Sequence, residues 1–478
     1  MIRNWWTDVR RDWTNLALAL LVLTGGAYIL YVRIGFAAEL PLWLDESFTA
    51  VISTQPDWTS LLREIHADPS APLYYLLMWL LPGESNFALR LPGLVFMIGA
   101  ALLPVVWRIP RLPMFVSVCW GALLFFWYYG IAYSADARPY ALLMFVSTAQ
   151  TIAFARLLDS PSRADAVRWT GIAALAILTH YFAGAFGLIQ GLILLAVHRR
   201  AALRLWPALL PLAVPATVLA WHWSRLMVFT APGVAWYPLL TMSHAAIWGL
   251  IQLGPKWDWI ALAAVASRML TPRAGAVRTA WLAALAGLFG IILVLFLGTL
   301  RPMVTPRYLT PGIPGGLLFL LLLAGNRVGQ LALVWLFLAT ASIANIRQTL
   351  RDRVVSGLEM PSHILIRQGA PRRIVFALDY DGQRVLEAHT MNQLGAYDFR
   401  RHGLATSAML VPTKSAAPLE AAAGRDGAII WLYIDDEKAE VDKLARRRHC
   451  FRRSLPTSGA LICPALDRRP VRSPALLP

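Results

Sequence analysis

Long apolar runs dominate the sequence and constrain what the chain can fold into. Of its 478 residues, 58% are hydrophobic and only 15% are charged. Many of the runs approach the roughly 20 apolar residues that cross a hydrocarbon core, and short breaks that carry arginine separate them. The sequence therefore predicts an α-helical polytopic membrane protein and excludes a soluble globular fold.

The net charge of +17 follows the same pattern. Many arginines stand at the ends of apolar runs, where the positive-inside rule places them, so the basicity indicates membrane topology and not nucleic-acid binding. The first run follows Arg3, Arg10 and Arg11, which predicts a cytoplasmic N-terminus. The alanine- and arginine-rich composition is typical of a bacterium with a GC-rich genome, so we expect the inner (plasma) membrane.

The pattern of runs predicts about eleven crossings. They are expected near 15–31, 88–107, 114–133, from 140 onward, twice within 169–197, and near 205–223, 257–265, 280–300, 309–324 and 331–344. Residues 1–347 then form a transmembrane domain, and its first extracytoplasmic loop, 33–90, contains interfacial helices. An odd number of crossings places residues 348–478 outside the cytosol.

The C-terminal segment differs in composition from the rest of the chain. Charges become frequent, and the stretches RRIVFALDY and AIIWLYIDD are typical of buried strands, so we expect a soluble α/β-type domain. Cys450 and Cys463 form a disulfide if this domain is outside the cytosol, or remain two free thiols. The domain can bind an acceptor, cover an active site or contact envelope components, and the sequence does not choose among these roles.

An acidic pair, Asp45 and Glu46, follows the first apolar run in the segment LPLWLDESFTA. Adjacent carboxylates repel each other and are costly beside lipid, which indicates a chemical site. In the functional interpretation, one carboxylate is a general base and the other orients a nucleophile or helps to hold a cation. In the structural interpretation, the pair caps the helix that follows.

A second acidic position, Asp68, lies further along the same loop, close to His66. With Asp45 it can bind a divalent ion or a cationic acceptor group, and His66 is a further candidate ligand of such a metal. No cofactor follows with certainty, and a divalent metal ion is left open. Asp68 alone is also a common type of helix cap.

Arginines and a histidine mark three further turns on the side of the acidic loop. Arg138 lies with Asp136 in SADARPYALL, where it binds an anionic lipid phosphate or, alternatively, is a snorkelling arginine paired with Asp136. His180 and Tyr181 lie at the turn between two short crossings, where imidazole can bind a metal, steady a leaving phosphate or be purely structural.

The third of these turns is RPMVTPRYLTPGIPG. Arg301 and Arg307 bracket it, and Tyr308 follows. Two arginines at one turn are suited to clamp a phosphate or pyrophosphate.

These segments together resemble the GT-C class of integral membrane glycosyltransferases, in the protein mannosyltransferase and aminoarabinose-transferase-like bacterial group (glycosyltransferase family 39-like). LWLDES is similar to the family's acidic first loop. DPSAPLYYLL, which contains Tyr74 and Tyr75, is similar to its Asp-x-His-Pro-Pro-Leu-Tyr-Tyr element. SADARPYALL, which contains Tyr140, is similar to its Ser-x-Glu-Ala-Arg-Pro-Tyr element, and PRYLTPGIP to its later Arg-Tyr element.

The resemblance covers about the first two thirds of the chain and includes departures. Ser70 stands where many relatives have histidine, Ala71 replaces the first proline, and Asp136 replaces glutamate. If the relatives' histidine binds a metal, metal use by this chain is in doubt.

The resemblance implies a GT-C fold and the transfer of a hexose or pentose. The donor is a polyprenyl-phosphate sugar, the acceptor is a lipid, glycan or protein on the extracytoplasmic face, and the anomeric carbon is inverted. It implies that Asp45 is the base, with Glu46 and Asp68 as further catalytic candidates, and that Arg138 or Arg307 stabilises the departing phosphate.

A polyprenyl-linked lipid transporter or flippase is the main alternative, and a structural membrane partner is another. Transporter sites usually lie near mid-membrane between broken helices. The acidic and basic clusters here fall at the far-side ends of spans, which favours the enzyme.

Overall fold

The computed structural model describes most of the chain. The described residues are 12–81, 83, 85–230, 239–252, 257–269, 277–343, 364–365, 371, 373–378, 388–401, 407–411, 413–434, 438–454 and 458–466. The chain divides into two compact units. The first comprises Met1–Ala38, Ile65–Leu226 and Tyr237–Asn345, and the second comprises Glu39–Glu64, Met227–Trp236 and Ile346–Pro478.

Helices account for nearly all of the described chain up to residue 343. The first eleven are α1 (Asp12–Glu39), α2 (Leu44–Ser53), α3 (Trp58–Ala67), α4 (Leu73–Leu80), α5 (Asn86–Val106), α6 (Met114–Phe126), α7 (Tyr128–Ser134), α8 (Tyr140–Asp159), α9 (Arg163–Thr179), α10 (Ala183–His198) and α11 (Arg200–Leu203). They are followed by α12 (Ala213–Phe229), α13 (Met242–Ile251), α14 (Trp257–Met269), α15 (Arg278–Leu300), α16 (Ile313–Ala324) and α17 (Arg327–Ile343). Short 3₁₀ segments, Trp206–Leu212 and Pro306–Gly312, precede α12 and α16.

Five helical segments in the described part of the chain are long and apolar enough to cross a membrane: α1, α5, α8, α15, and α16 together with its preceding 3₁₀ turn. A sixth is possible if α6 and α7, which meet at an angle of 62°, form one bent span. Helices also lie where the other crossings were expected, but α10 and the apolar parts of α14 and α17 are only 10–17 residues long. Length and composition therefore support a membrane protein with fewer clear spans than the eleven predicted, because a short helix does not by itself reach across the hydrocarbon core.

Local sequence explains where several helices begin. The hydroxyl of Ser85 accepts a hydrogen bond from the Ala88 amide at the start of α5, and that of Ser162 accepts from the Asp165 amide at the start of α9. These side chains satisfy donors that the first helical turn leaves unpaired.

The first unit packs around α8. In its apolar window 83% of the residues are buried by protein, compared with 22% for α1, so α8 is a central helix and α1 is peripheral. Helices α5, α9 and α15 all pack against it. Elsewhere α15 and α16 approach so closely that a Cβ on Gly287 would lie 2.8 Å from the Cα of Gly315. Glycine at that crossing allows backbone-to-backbone packing.

The C-terminal part of the second unit contains a five-stranded mixed sheet. Its strands are β1 (Arg373–Leu378), β2 (Ser407–Leu410), β3 (Gly427–Ile434), β4 (Phe451–Ser454) and β5 (Ser458–Cys463), in the spatial order β2-β1-β3-β5-β4. Strands β2, β1 and β3 are parallel, and β5 is antiparallel to both of its neighbours. The described residues of this region also form the helices α18 (Ala388–Arg401), α19 (Ala416–Ala423) and α20 (Lys438–Arg448).

The two strands predicted from sequence are central in this sheet. Consecutive β1 residues Ile374, Val375, Phe376 and Ala377 are all buried, as expected for a parallel strand covered on both faces. Cys450 and Cys463, at the β4–β5 hairpin, form a disulfide. Of the two alternatives, a disulfide or two free thiols, the structure contains the disulfide.

Candidate functional site

Asp68 lies just after α3, in the first unit, and its carboxylate is held by two donors. Its Oδ1 accepts a hydrogen bond of 2.8 Å from the Ser70 amide and one of 2.9 Å from the Tyr75 hydroxyl. The first bond is a turn in which an aspartate binds its own backbone two residues on. Asp68 is therefore fixed by its local sequence and by α4, which contains Tyr75.

Arg138 reaches the same group from the loop between α7 and α8. Its guanidinium donates to the Tyr75 hydroxyl oxygen at 3.0 Å and to the Ser70 Oγ at 3.3 Å. Burial raises the pKa of Tyr75 well above its usual value, so its hydroxyl stays protonated. Tyr75 therefore accepts a hydrogen bond from Arg138 and donates one to Asp68, and these three side chains form a continuous hydrogen-bonded chain.

His180 lies directly after α9, and its ring is surrounded by aromatic side chains. The centroid of its ring is 4.5 Å from that of Tyr308 and 6.2 Å from that of Tyr140. Burial, with the positive charges of Arg307 and Arg138, lowers the pKa of His180 to about 3. Its Nδ1 is buried and has no hydrogen-bond partner among the described residues. The imidazole is therefore neutral at physiological pH.

Arg307 lies in the 3₁₀ turn Pro306–Gly312, which the proline at its first position favours. The Cζ of its guanidinium is 5.7 Å from the centroid of the Tyr140 ring. Arg307 and Arg138 both lower the pKa of His180, so two cationic groups act on one neutral imidazole. We refer to Arg138, His180 and Arg307 as the cationic cluster.

Tyr181 joins this region to α12. Its hydroxyl lies 2.8 Å from Nδ1 of His222, and Nε2 of that histidine lies 3.2 Å from the carbonyl oxygen of His66. Arg225, one turn further along α12, donates to the carbonyl oxygen of Ala67 at 3.2 Å. Neither His222 nor Arg225 is among the residues predicted from the sequence. Their signal was the segment WHWSR, which places polar groups inside an otherwise apolar helix.

The acidic pair belongs to the second unit, at the start of α2. Glu46 is fully buried, and its carboxylate accepts a hydrogen bond from the Trp43 amide at 3.2 Å. This is the helix-capping arrangement that was weighed as the structural interpretation of the pair. Asp45 is only partly buried, and its backbone carbonyl accepts from the Thr49 hydroxyl at 3.4 Å. The two carboxylates therefore have different environments.

The remaining predicted residues are distributed through the first unit. Tyr74 and Asp136 are buried, and the ring of His66 lies 4.8 Å from that of Trp221. Arg301 directly follows α15, and its amide donates to the carbonyl of Leu297 at 3.1 Å. Catalytic, phosphate-binding and metal roles for all of these residues stay predictions.

The predicted metal site gains no support from this geometry. Within the described part of the chain, no group of three or more His, Cys, Asp and Glu side chains is close enough to hold a metal ion. The groups around Asp68 include a guanidinium, and a positively charged region suits an anion better than a divalent cation.

No protein-family model matches the sequence, and no curated protein matches it significantly. Among solved structures, the chain is similar to ArnT from Cupriavidus metallidurans in the apo state, with a TM-score of 0.55 and 12% identity over 95% of this chain and 98% of that one. It is also similar to ArnT from the same organism bound to undecaprenyl phosphate, with a TM-score of 0.54 and 13% identity over 92% and 97% of the two chains. At this level of identity the likeness concerns the fold, and it extends over nearly the whole length of both chains.

Proposed function

We propose that the protein is a membrane glycosyltransferase that moves a sugar from a polyprenyl-phosphate donor to an acceptor on the extracytoplasmic face. The observation that carries the proposal is the cationic cluster. His180 and Arg307 both lie beside the ring of Tyr140 in the first unit, and the positive charges of Arg307 and Arg138 both act on the buried His180 ring. A departing lipid phosphate requires such an arrangement of positive charge and hydrogen-bond donors.

The fold likeness supports the same class of reaction. One of the similar structures is described as ArnT bound to undecaprenyl phosphate, a polyprenyl phosphate. The sequence motifs resemble the aminoarabinose-transferase-like group independently of that comparison. A polyprenyl-phosphate ligand is therefore the donor carrier that best fits both the fold and the charge of the cluster.

In the proposed reaction, a hydroxyl or amine of the acceptor attacks the anomeric carbon of the sugar. The bond between that carbon and the phosphate oxygen breaks, and the electron pair leaves with the lipid phosphate. Asp45 takes the acceptor's proton, and a single displacement inverts the anomeric centre. Assignment of the base to Asp45 comes from the sequence resemblance and from the capping bond of Glu46, which gives the second carboxylate a structural task.

Neutral His180 has a specific part in this scheme. Burial and the two arginines lower the pKa of His180, so its ring is neutral before the donor binds and has one N–H that can donate a hydrogen bond to a phosphate oxygen. The guanidinium groups of Arg138 and Arg307 supply the positive charge. The hydrogen bonds from Arg138 to Tyr75 and Ser70 hold its guanidinium in a defined orientation before the donor binds.

The test is transfer from a panel of polyprenyl-phosphate sugars by the full-length protein in lipid vesicles, with Asp45→Asn and Glu46→Gln as a matched pair. We expect Asp45→Asn to lower kcat by about 100-fold or more, as loss of a general base does. Glu46→Gln retains a side-chain oxygen for the Trp43 amide and should keep most of the activity.

Two outcomes would contradict the proposal. Equal losses of kcat in Asp45→Asn and Glu46→Gln would contradict a catalytic role for Asp45 beside a structural role for Glu46. A wild-type protein that transfers no sugar from any donor, yet moves a polyprenyl-phosphate lipid across the vesicle bilayer, would favour a flippase.

A further inference from the structure

The helix that carries Asp45 belongs to the same compact unit as the C-terminal domain. That unit joins Glu39–Glu64 to Ile346–Pro478, although about 300 residues separate them in sequence. Of the helices and strands in the described chain, α18 makes the most extensive contact with α2. Just after α2, the side-chain amide of Gln55 donates to that of Gln393 on α18 at 3.4 Å.

Helix α2 needs such a partner to be stable. It has only 10 residues, from Leu44 to Ser53, and an isolated helix shorter than roughly 12 residues is marginal in water. Its last eight residues are all buried, and four of these are polar: Glu46, Ser47, Thr49 and Ser53. Tertiary contacts therefore determine whether the first turn, with Asp45, keeps a fixed orientation.

Helix α18 is in turn anchored in the domain. It packs against β2, the edge strand of the parallel part of the sheet. Phe399 is fully buried, and Tyr397 is only 6% exposed.

Gln393 and Tyr397 are four residues apart, so they lie on the same face of the helix. Because Gln393 contacts Gln55, this is the face directed at the α2 region.

We propose that the C-terminal domain is a positioning element for the active site, and that Tyr397 and Gln393 hold α2 so that Asp45 keeps its orientation. The proposal rests on the proposed function for the role of Asp45. It assigns a task to the domain that the sequence left open among acceptor binding, covering of the site and envelope contacts. A misplacement of about 1 Å at a reacting group can lower a rate about 100-fold, so a domain without reacting residues can control kcat.

The experiment compares the full-length wild type with Tyr397→Ala, Gln393→Ala and the matched control Arg400→Ala, an exposed position on the same helix. Hydrogen exchange of the peptide 44–53 reports on α2 without any assay of activity. Exchange of the strands 427–434 and 458–463 reports whether the sheet stays folded. Transfer kinetics then give kcat and the KM for the donor separately.

We expect Tyr397→Ala to accelerate exchange of 44–53 by about 10-fold or more, while the strands remain protected. It should lower kcat by about 10- to 100-fold and change the donor KM less than about twofold. Gln393→Ala should act in the same direction more weakly, and Arg400→Ala should match wild type. In an Asp45→Asn background, Tyr397→Ala should cause no further loss, because both changes act through one group.

Unchanged exchange of 44–53 in Tyr397→Ala, with the sheet still protected, would overturn the proposal. If Tyr397→Ala unfolds the sheet, the same comparison is made with Gln393→Ala. Unchanged exchange of 44–53 in that variant, with the sheet protected, would then overturn the proposal. Independent effects of Tyr397→Ala and Asp45→Asn on kcat would also overturn it. Failure of the proposed function itself would give a different result: wild type would transfer no sugar, while Tyr397→Ala would still accelerate exchange of 44–53.

Discussion

Replacement of Tyr75 by phenylalanine tests the link between Asp68 and Arg138. The change removes one hydroxyl and keeps the ring, which is almost fully buried. Two hydrogen bonds are lost: the 3.0 Å bond from Arg138 and the 2.9 Å bond to Asp68. Each involves a charged partner, which makes it stronger than a bond between neutral groups.

The magnitude follows from what each partner retains. Hydrogen bonds to charged groups contribute about 1.5–3 kcal/mol each, so the loss of two gives an upper range of about 3–6 kcal/mol. Asp68 keeps the Ser70 amide, and Arg138 keeps the Ser70 hydroxyl. We therefore expect the free energy of unfolding to fall by about 2–4 kcal/mol. A guanidinium that is no longer held should also lower kcat/KM for the donor by about 10- to 100-fold.

Thermal unfolding in detergent and donor titration of the transfer rate measure the two effects. The control is Tyr129→Phe, since the interactions of Tyr129 within the described chain are contacts with the rings of Trp127, Tyr128 and Tyr133. It should change stability by less than about 0.5 kcal/mol. Equal effects of Tyr75→Phe and Tyr129→Phe would refute the reasoning, because the hydroxyl bridge would then contribute nothing beyond a tyrosine ring.

Two further predictions concern His180 and the crossing of α15 with α16. The pKa of His180 is about 3 in the folded protein, compared with an ordinary value of 6.5. Between pH 3 and pH 6.5 the unfolded chain therefore binds more protons than the folded protein. The folded protein loses stability as the pH falls below 6.5. Between pH 7.5 and 5, the free energy of unfolding of wild type should fall by about 2 kcal/mol more than that of His180→Gln. Thermal unfolding at both pH values measures this difference. Identical pH profiles of the two proteins would contradict a lowered pKa for His180. At the helix crossing, Gly287→Ala would place a Cβ 2.9 Å from the Gly312 carbonyl oxygen and should cost about 1–3 kcal/mol. Gly316→Ala, whose Cβ would meet its nearest neighbour at 3.8 Å, should have little effect in the same unfolding assay, and equal costs would contradict close backbone packing.

Much of the architecture was predictable because apolar periodicity and chain breaks are local properties. Helices lie at the expected spans, from α1 to α17, and the fold is similar to that of ArnT, as the GT-C resemblance implied. The strands β1 and β3 lie where two apolar, β-branched stretches predicted them. The number of crossings was harder to predict, since several apolar runs fold into helices of 10–17 residues.

The sequence alone determined which residue types are available for chemistry. Its motifs placed Arg138, His180 and Arg307 in three separate turns, and each turn had a structural interpretation as well as a functional one. No local pattern indicated that these turns meet, because their separation in the chain exceeds the range of helical or strand periodicity. Nor did any pattern reveal His222 and Arg225, which look like ordinary polar interruptions of an apolar helix.

Only the tertiary structure grouped the three turns and separated the environments of Asp45 and Glu46. It brought Arg138 within hydrogen-bond distance of Tyr75, and it buried His180 among aromatic rings so that its imidazole stays neutral. It also placed α2 in one unit with a domain about 300 residues away in sequence. The physical reason is that the sequence fixes chemical identity and local conformation, whereas burial, the pKa of a buried group and long-range contacts depend on which distant segments pack together.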